Sequence, residues 1–203
     1  MTRSKKLFLI DMDNVLCNYS KGLTDFANRI LRTKVDWSKG IFESQRLNLG
    51  ISDDLYESVK LTYRLSGEKL YLEQMDGAKE FIDQIKEKYK ILIWTARPTH
   101  QYPVLKEYTK GWLDRNEIFY DDIIWQEGFG KMRELEKWKR EIEDKGENMQ
   151  DYELYMIDDD KQFCNQVANW KIMSGIYLID WIYNQGYTDP LITRIKTLKQ
   201  LTL

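Results

Sequence analysis

Five short runs of uninterrupted apolar residues set the strongest limit on how this chain can fold: Leu7–Ile10, Ile91–Trp94, Ile123–Trp125, Leu154–Ile157 and Ile176–Ile179. A strand with one face in water alternates apolar and polar residues, so an unbroken run reads as a strand buried on both faces. Amphipathic helical patterns lie between these runs. Ala78, Phe81, Ile82, Ile85 and Tyr89 recur at helical spacing after a turn-forming Asp76-Gly77; Met132, Leu135, Trp138 and Ile142 mark a second helix, and Phe163, Val167 and Trp170 a third. Apolar strands alternating with helices predict an α/β fold, a Rossmann-like parallel sheet of about five strands with helices on both faces. Near the C-terminus, Asp189 as a cap and Pro190 at the first helical position predict a last helix carrying Leu191, Ile192, Ile195 and Leu198.

Residues 18–75 break that rhythm. Leu23, Phe26, Ala27, Ile30 and Leu31 form a clear amphipathic stripe, a second helix is expected within Asp53–Leu65, and no convincing strand separates them. A small helical cap is therefore expected after the first strand, dividing the chain into a core of residues 1–17 and 76–203 and a cap of residues 18–75. A length of 203 residues suits one α/β domain with such an insertion.

Charge and composition exclude several classes of function. A formal net charge of −2 supplies no basic field to hold nucleic acid or anionic lipid, so no extended nucleic-acid interface is expected. No run approaches the roughly 18–20 apolar residues of a membrane span, and the four apolar residues after the basic start are too few for a signal-peptide core. Cys17 and Cys164 make no disulfide framework and read as buried small apolar side chains. The expected location is cytoplasmic. His100, the single histidine, leaves no material for a His-based catalytic triad or for most zinc sites. Aromatic residues make up 13% of the chain, a rich share; such residues usually fill cores, and some of the surplus can line a pocket for a flat ligand.

The chemistry-bearing residues sit where the strands end, the side of a parallel sheet on which ligands bind. The first strand runs into Asp11-Met12-Asp13-Asn14. Carboxylates two apart can both be aimed into the crevice by a tight turn, although Asp-x-Asp alone is equally a turn with solvated or capping side chains. The fourth strand ends in Asp158-Asp159-Asp160, three acids that repel one another unless a cation such as Mg²⁺ sits among them; an exposed acidic loop that caps the helix starting near Lys161 is the alternative. The second strand ends in Thr95-Ala96-Arg97-Pro98, where a hydroxyl and backbone N–H groups can hold phosphate oxygens, or where Thr and Pro merely end a strand. Lys131, after the third strand and a Gly128-Phe129-Gly130 turn, can neutralise a phosphate, or can be one more cation on a helix that also carries Lys137 and Lys139.

Taken in order, Asp-x-Asp, Thr, Lys and Asp-Asp resemble the four motifs of the haloacid dehalogenase-like superfamily, across nearly the whole chain. More narrowly, Asp11-Met12-Asp13-Asn14-Val15-Leu16-Cys17-Asn18-Tyr19, with Met75-Asp76-Gly77-Ala78, Trp94-Thr95-Ala96-Arg97-Pro98 and Met156-Ile157-Asp158-Asp159, is similar to the 5′(3′)-deoxyribonucleotidases and their bacterial and phage relatives. The resemblance implies a Mg²⁺-dependent phosphatase acting on a small phosphate ester, a nucleoside monophosphate. It implies Asp11 as nucleophile and metal ligand, and Asp13 as general acid/base with its backbone carbonyl on the metal. Asp159 would be a direct metal ligand and Asp158 its supporting partner. Thr95, Ala96 and Arg97 would bind substrate, Lys131 would balance its charge, and Tyr19 would stack on the nucleobase. On this reading the neighbouring acids keep Asp13 protonated. Asn14 stands where many relatives have Gly, Arg97 where some carry a small residue, and the cap offers no match. Another phosphate ester as substrate (a sugar phosphate or a nucleic-acid end) and a non-catalytic binding protein on the same fold are the competing expectations.

Overall fold

The structure, a computed structural model, describes residues 5–36, 42, 46, 49–126, 130–148 and 151–201. All five apolar runs become parallel strands: β1 (Lys6–Asp11), β2 (Lys90–Thr95), β3 (Asp122–Trp125), β4 (Glu153–Asp158) and β5 (Gly175–Ile179). A sixth, β6 (Thr193–Ile195), completes a sheet of order β3-β2-β1-β4-β5-β6. β1 is central because it is flanked by β2 and β4, with Ile10 opposite both Ile93 and Ile157.

Side-chain alternation along β1 explains the unbroken apolar run. Leu7 and Leu9 enter a core layer with Leu135 and Ile142 of α5 (Lys131–Asp144) and with Phe163 and Val167 of α6 (Lys161–Trp170). Phe8 and Ile10 point the other way, toward Phe81, Ile82 and Ile85 of α3 (Ala78–Ile85) and Trp112 and Leu113 of α4 (Val104–Arg115). Each such fully buried side chain contributes about 1.5–3 kcal/mol, so a polar residue anywhere in the run would open one layer or the other. The expected helix through Tyr89 ends earlier, at Ile85. Tyr89 instead turns its ring onto Phe8, with centroids 5.0 Å apart.

Two departures from the sequence reading concern local pattern. Helix α4 adds an element outside the sequence reading; Leu105, Thr109, Trp112 and Leu113 form its buried stripe, in which the polar Thr109 blurs the period. The last helix expected at residues 190–198 does not form. Asp189 accepts the Leu191 N–H at 2.8 Å and Ile192 N–H bonds back to the Asp189 carbonyl at 3.2 Å, making a turn rather than a cap. The chain then pairs with β5, Leu178 opposite Arg194, and closes with a short 3₁₀ turn at Leu198–Gln200. Pro190 fits a turn as well as a first helical position, and the open edge of β5 decides between them.

Between β1 and β2 lie α1 (Tyr19–Leu31), α2 (Asp53–Leu65) and a 3₁₀ turn at Glu68–Tyr71. Asn18 caps α1 and Ser52 caps α2, each through its side-chain oxygen. The chain leaves and re-enters the sheet side by side: Asn18 N–H donates to Glu73 O at 2.8 Å and Met75 N–H to Leu16 O at 2.8 Å. The expected division at residues 17/18 and 75/76 lies beside these two bonds.

Candidate active site

Asp11 closes β1 and Asp158 closes β4, neighbours across the point where the strand order reverses. Lys131, the first residue of α5, reaches back between them, its Nζ 2.9 Å from Asp11 Oδ1 and 2.6 Å from Asp158 Oδ2. Asp11 is 5% exposed and Asp158 1%. Burial pushes the Asp11 pKa well up, with Asp158 and Asp159 adding to the rise and Lys131 opposing it. Burial also works against the Lys131 charge, but Asp11 and Asp158 outweigh it and hold the ammonium well above the usual lysine range. Asp159 completes the cluster: one carboxylate oxygen from each of Asp11, Asp158 and Asp159 lies within 4.8 Å of the others. Burial and then Asp158 push the Asp159 carboxyl up to about 7. Of the turn expected before Lys131, Gly128 and Phe129 lie outside the described residues, and Gly130 takes φ 86° ahead of α5.

The third acid of the run has a different duty. Asp160 accepts the N–H groups of Gln162 and Phe163 at 2.8 and 3.2 Å and so caps α6. Asp158 Oδ1 accepts the Asp160 N–H at 2.8 Å, which fixes the rotamer that presents Oδ2 to Lys131.

Asn14 adopts the left-handed region, φ 66°, a conformation Asn tolerates better than other residues with a Cβ. Its side chain ties three segments together: Oδ1 accepts the Ser20 N–H at 2.8 Å, and Nδ2 donates to Asp159 Oδ2 at 3.1 Å and to the Tyr183 hydroxyl oxygen at 3.0 Å.

Asp13 is held in a manner the sequence did not foretell. Arg97 donates to both of its oxygens, Nε to Oδ2 at 3.0 Å and Nη2 to Oδ1 at 2.6 Å. Lys69 Nζ stands 3.9 Å from Oδ2, and the Cys17 thiol donates to Oδ1 at 3.3 Å. Burial alone would raise the Asp13 pKa, but Arg97 and Lys69 reverse the sign and hold the carboxyl well below the usual carboxylate range. The expectation that neighbouring acids keep Asp13 protonated is therefore corrected: its nearest charges are cations. Arg97 itself is buried with Nη1 on Thr109 Oγ1 at 3.0 Å, so it faces Asp13 rather than the cleft. Thr95, 1% exposed, accepts the Arg97 N–H at 3.3 Å through its hydroxyl. Cys17, read as an apolar filler, is buried as expected but also touches the site.

A cleft of about 430 Å³ opens over this arrangement, lined by Asp11, Asp13, Ala96, Lys131 and Asp159 together with Tyr19, Asn14, Lys161 and Tyr183. Arg97, Thr95 and Asp158 stand behind its wall. Tyr19 begins α1 at the neck of the cap; Lys69 Nζ lies 4.2 Å from its ring centroid and the Tyr63 ring 5.7 Å. Sequence reasoning missed Lys69, Trp181 and Tyr183. Lys69, from the cap, is 3% exposed, and burial brings its ammonium down to about 7. Nothing in the cap sequence marked it. Trp181 and Tyr183 follow the carboxyl end of β5, a placement that was a usable signal.

No family model matches the sequence, and no curated protein matches it. Solved structures do. A hydrolase of the haloacid dehalogenase-like family from Streptococcus pneumoniae superposes with TM-score 0.65 at 16% identity, covering 98% of each chain. A hydrolase of the same superfamily from Bacillus subtilis, solved bound to magnesium, superposes with TM-score 0.63 at 13% identity over 98% of this chain and 97% of the other. A superfamily hydrolase of subfamily IA from Geobacter sulfurreducens gives 0.59 at 14% identity over 98% and 95%. The fold is that of the haloacid dehalogenase-like hydrolases. Among the described residues no helix is long and apolar enough to cross a membrane.

Proposed function

We propose that this chain is a phosphatase of the haloacid dehalogenase-like type that requires a divalent cation, Mg²⁺, and hydrolyses a small phosphate monoester through an aspartyl-phosphate on Asp11, with nucleoside monophosphates as its substrates. The observation that carries the reading is a charge deficit at the strand ends. Two buried carboxylates and a third at the cleft wall share one ammonium, which leaves the cluster short of positive charge in a confined space. The donors are all hard oxygens, the set that Mg²⁺ takes, so the residues fit the ion. Asp11 and Asp159, with the Asp13 backbone carbonyl, would hold it and Asp158 would support them. When bound, it would neutralise charge on the phosphoryl oxygens and on the carboxylates around them.

The chain's own residues divide the remaining work. The Asp11 carboxylate attacks phosphorus in line as the ester P–O bond breaks, which splits one hard displacement into two easier ones. Lys131, already against Asp11, pairs with a phosphoryl oxygen as negative charge accumulates there. The Ala96 N–H at the cleft wall binds another oxygen, with Thr95 bracing that backbone from behind. Asp13, ionised beside Arg97, suits the second half-reaction: it accepts a proton from the water that attacks the aspartyl-phosphate. Protonation of the leaving oxygen in the first half works against Arg97, so that is the step that acid pH assists. Tyr19 at the neck of the cap offers a ring to the leaving group, which favours a nucleoside over a plain alcohol.

A phosphate-release screen over nucleoside monophosphates, sugar phosphates and phosphorylated DNA ends tests the reading. Turnover is expected with Mg²⁺, highest on nucleotides, and lost in chelator. Full activity in chelator would remove the cation from the mechanism, and a flat response across esters would remove the nucleotide preference.

A further inference from the structure

We propose that Tyr183 is a positioning residue for the cation site: with Asn14 it occupies one carboxylate oxygen of Asp159 and leaves the other to face a divalent ion. The inference rests on the cation-dependent reading above. The Tyr183 hydroxyl donates to Asp159 Oδ2, Asn14 Nδ2 donates to the same oxygen at 3.1 Å, and the same amide donates to the Tyr183 oxygen at 3.0 Å. These three groups close a ring of hydrogen bonds around one oxygen, while Oδ1 takes no hydrogen bond among the described residues. Both donors are neutral. They therefore fix the carboxylate's rotation without neutralising it, whereas Lys131 is committed to Asp11 and Asp158. A carboxylate oriented by neutral donors is left without a cationic partner that an ion would have to displace. Outer groups of this kind change metal affinity about 10–100-fold when removed.

The loop that carries Tyr183 is held in place by contacts that do not involve its hydroxyl. Asn184 Nδ2 donates to Ile179 O at 2.8 Å and to Asp159 O at 2.9 Å, and Arg194 Nη1 donates to Asn184 O at 2.6 Å and Tyr187 O at 2.8 Å. Trp181 donates its Nε1–H to Asn14 O at 2.8 Å, and its ring lies parallel to that of Tyr183, centroids 6.0 Å apart. Removing the hydroxyl thus frees Asp159 to rotate while the loop stays where it is.

Calorimetric titration of the full chain with Mg²⁺, without substrate, reads the effect directly. Wild type should bind and Asp159→Asn should not. Tyr183→Phe should bind on the order of 10-fold more weakly, with its thermal unfolding in chelator within a few degrees of wild type. Asn14→Gly, which keeps the left-handed backbone and removes the amide together with its bond to the Ser20 N–H, is the second variant and should weaken binding in the same direction. Wild-type affinity in both variants overturns the inference while leaving the cation reading intact. Failure of the wild type to bind Mg²⁺ overturns the cation reading, and this inference with it.

Discussion

Asp11 and Asp13, two residues apart in the chain, meet opposite electrostatic surroundings. Asp11, Asp158 and Asp159 share Lys131 and are short of positive charge; Asp13 has Arg97 on both oxygens and Lys69 behind it. Burial is common to both sets, so desolvation does not separate them. Their partners do. The first set is raised toward neutrality and the second is held ionised. The contrast teaches that an Asp-x-Asp motif assigns two roles by where each side chain is aimed: one at the strand ends, where a cation is wanted, and one at the base of α4 and the cap, where cations are already built in.

The sharpest test of the cation-poor half is Asp11→Asn. Loss of the nucleophile should lower turnover by on the order of 10⁴-fold or more and abolish any phosphoenzyme, read by acid-quench labelling. Residual activity near wild type would remove Asp11 from the chemistry and leave the cluster a structural feature.

Asp13→Asn strikes the cation-rich half and should have two effects. Turnover should fall on the order of 10²–10⁴-fold, most for poor leaving groups. Stability should also fall, by about 3–5 kcal/mol, because Arg97 is left buried without its partner. The depressed Asp13 pKa gives the sign with pH: its stabilisation is present above the unfolded carboxylate value near 4 and is lost as pH falls through the lower folded value. Denaturant unfolding of wild type and variant should therefore differ fully at pH 7 and converge in strong acid; equal stability at pH 7 would show the clamp to be idle.

Tyr19→Ala should lower kcat/KM for nucleotides about 10-fold while sparing a small ester without a base, since stacking is worth roughly 1–3 kcal/mol per base. One face of this ring is already taken by Lys69. Equal losses on both substrates would make Tyr19 part of the Lys69–Tyr63 packing instead of a substrate contact.

The smallest expected effect carries the opposite sign. Asp159 has its pKa raised to about 7, so in the metal-free protein its contribution is favourable below the unfolded value near 4 and is lost as pH rises toward 7. In chelator at pH 8, Asp159→Asn should unfold a few degrees higher than wild type, and added Mg²⁺ should reverse the order. A lower melting temperature for the variant in chelator would show that Asp159 is not short of charge and would erase the contrast with Asp13.

The unbroken apolar runs by themselves determined the five principal strands, and the four strand-end motifs determined Asp11, Asp13, Thr95, Lys131 and Asp158–Asp159 as the residues to watch. These are legible because burial on both faces leaves no polar residue in a strand, and because acids crowded at strand ends have few other reasons to be there. Tertiary structure alone decided the rest. The last strand, β6, is set by the open edge of β5, and Pro190 and Asp189 serve a turn as readily as a helix. The charge on Asp13 depends on Lys69, more than fifty residues away in a cap with no readable pattern, and on which way the Arg97 side chain turns. The orientation of Asp159 depends on Tyr183, brought to it by the packing of the loop after β5. Local sequence names the group that can titrate or bind; the charges that decide its state arrive from elements far along the chain, through contacts that no spacing rule records.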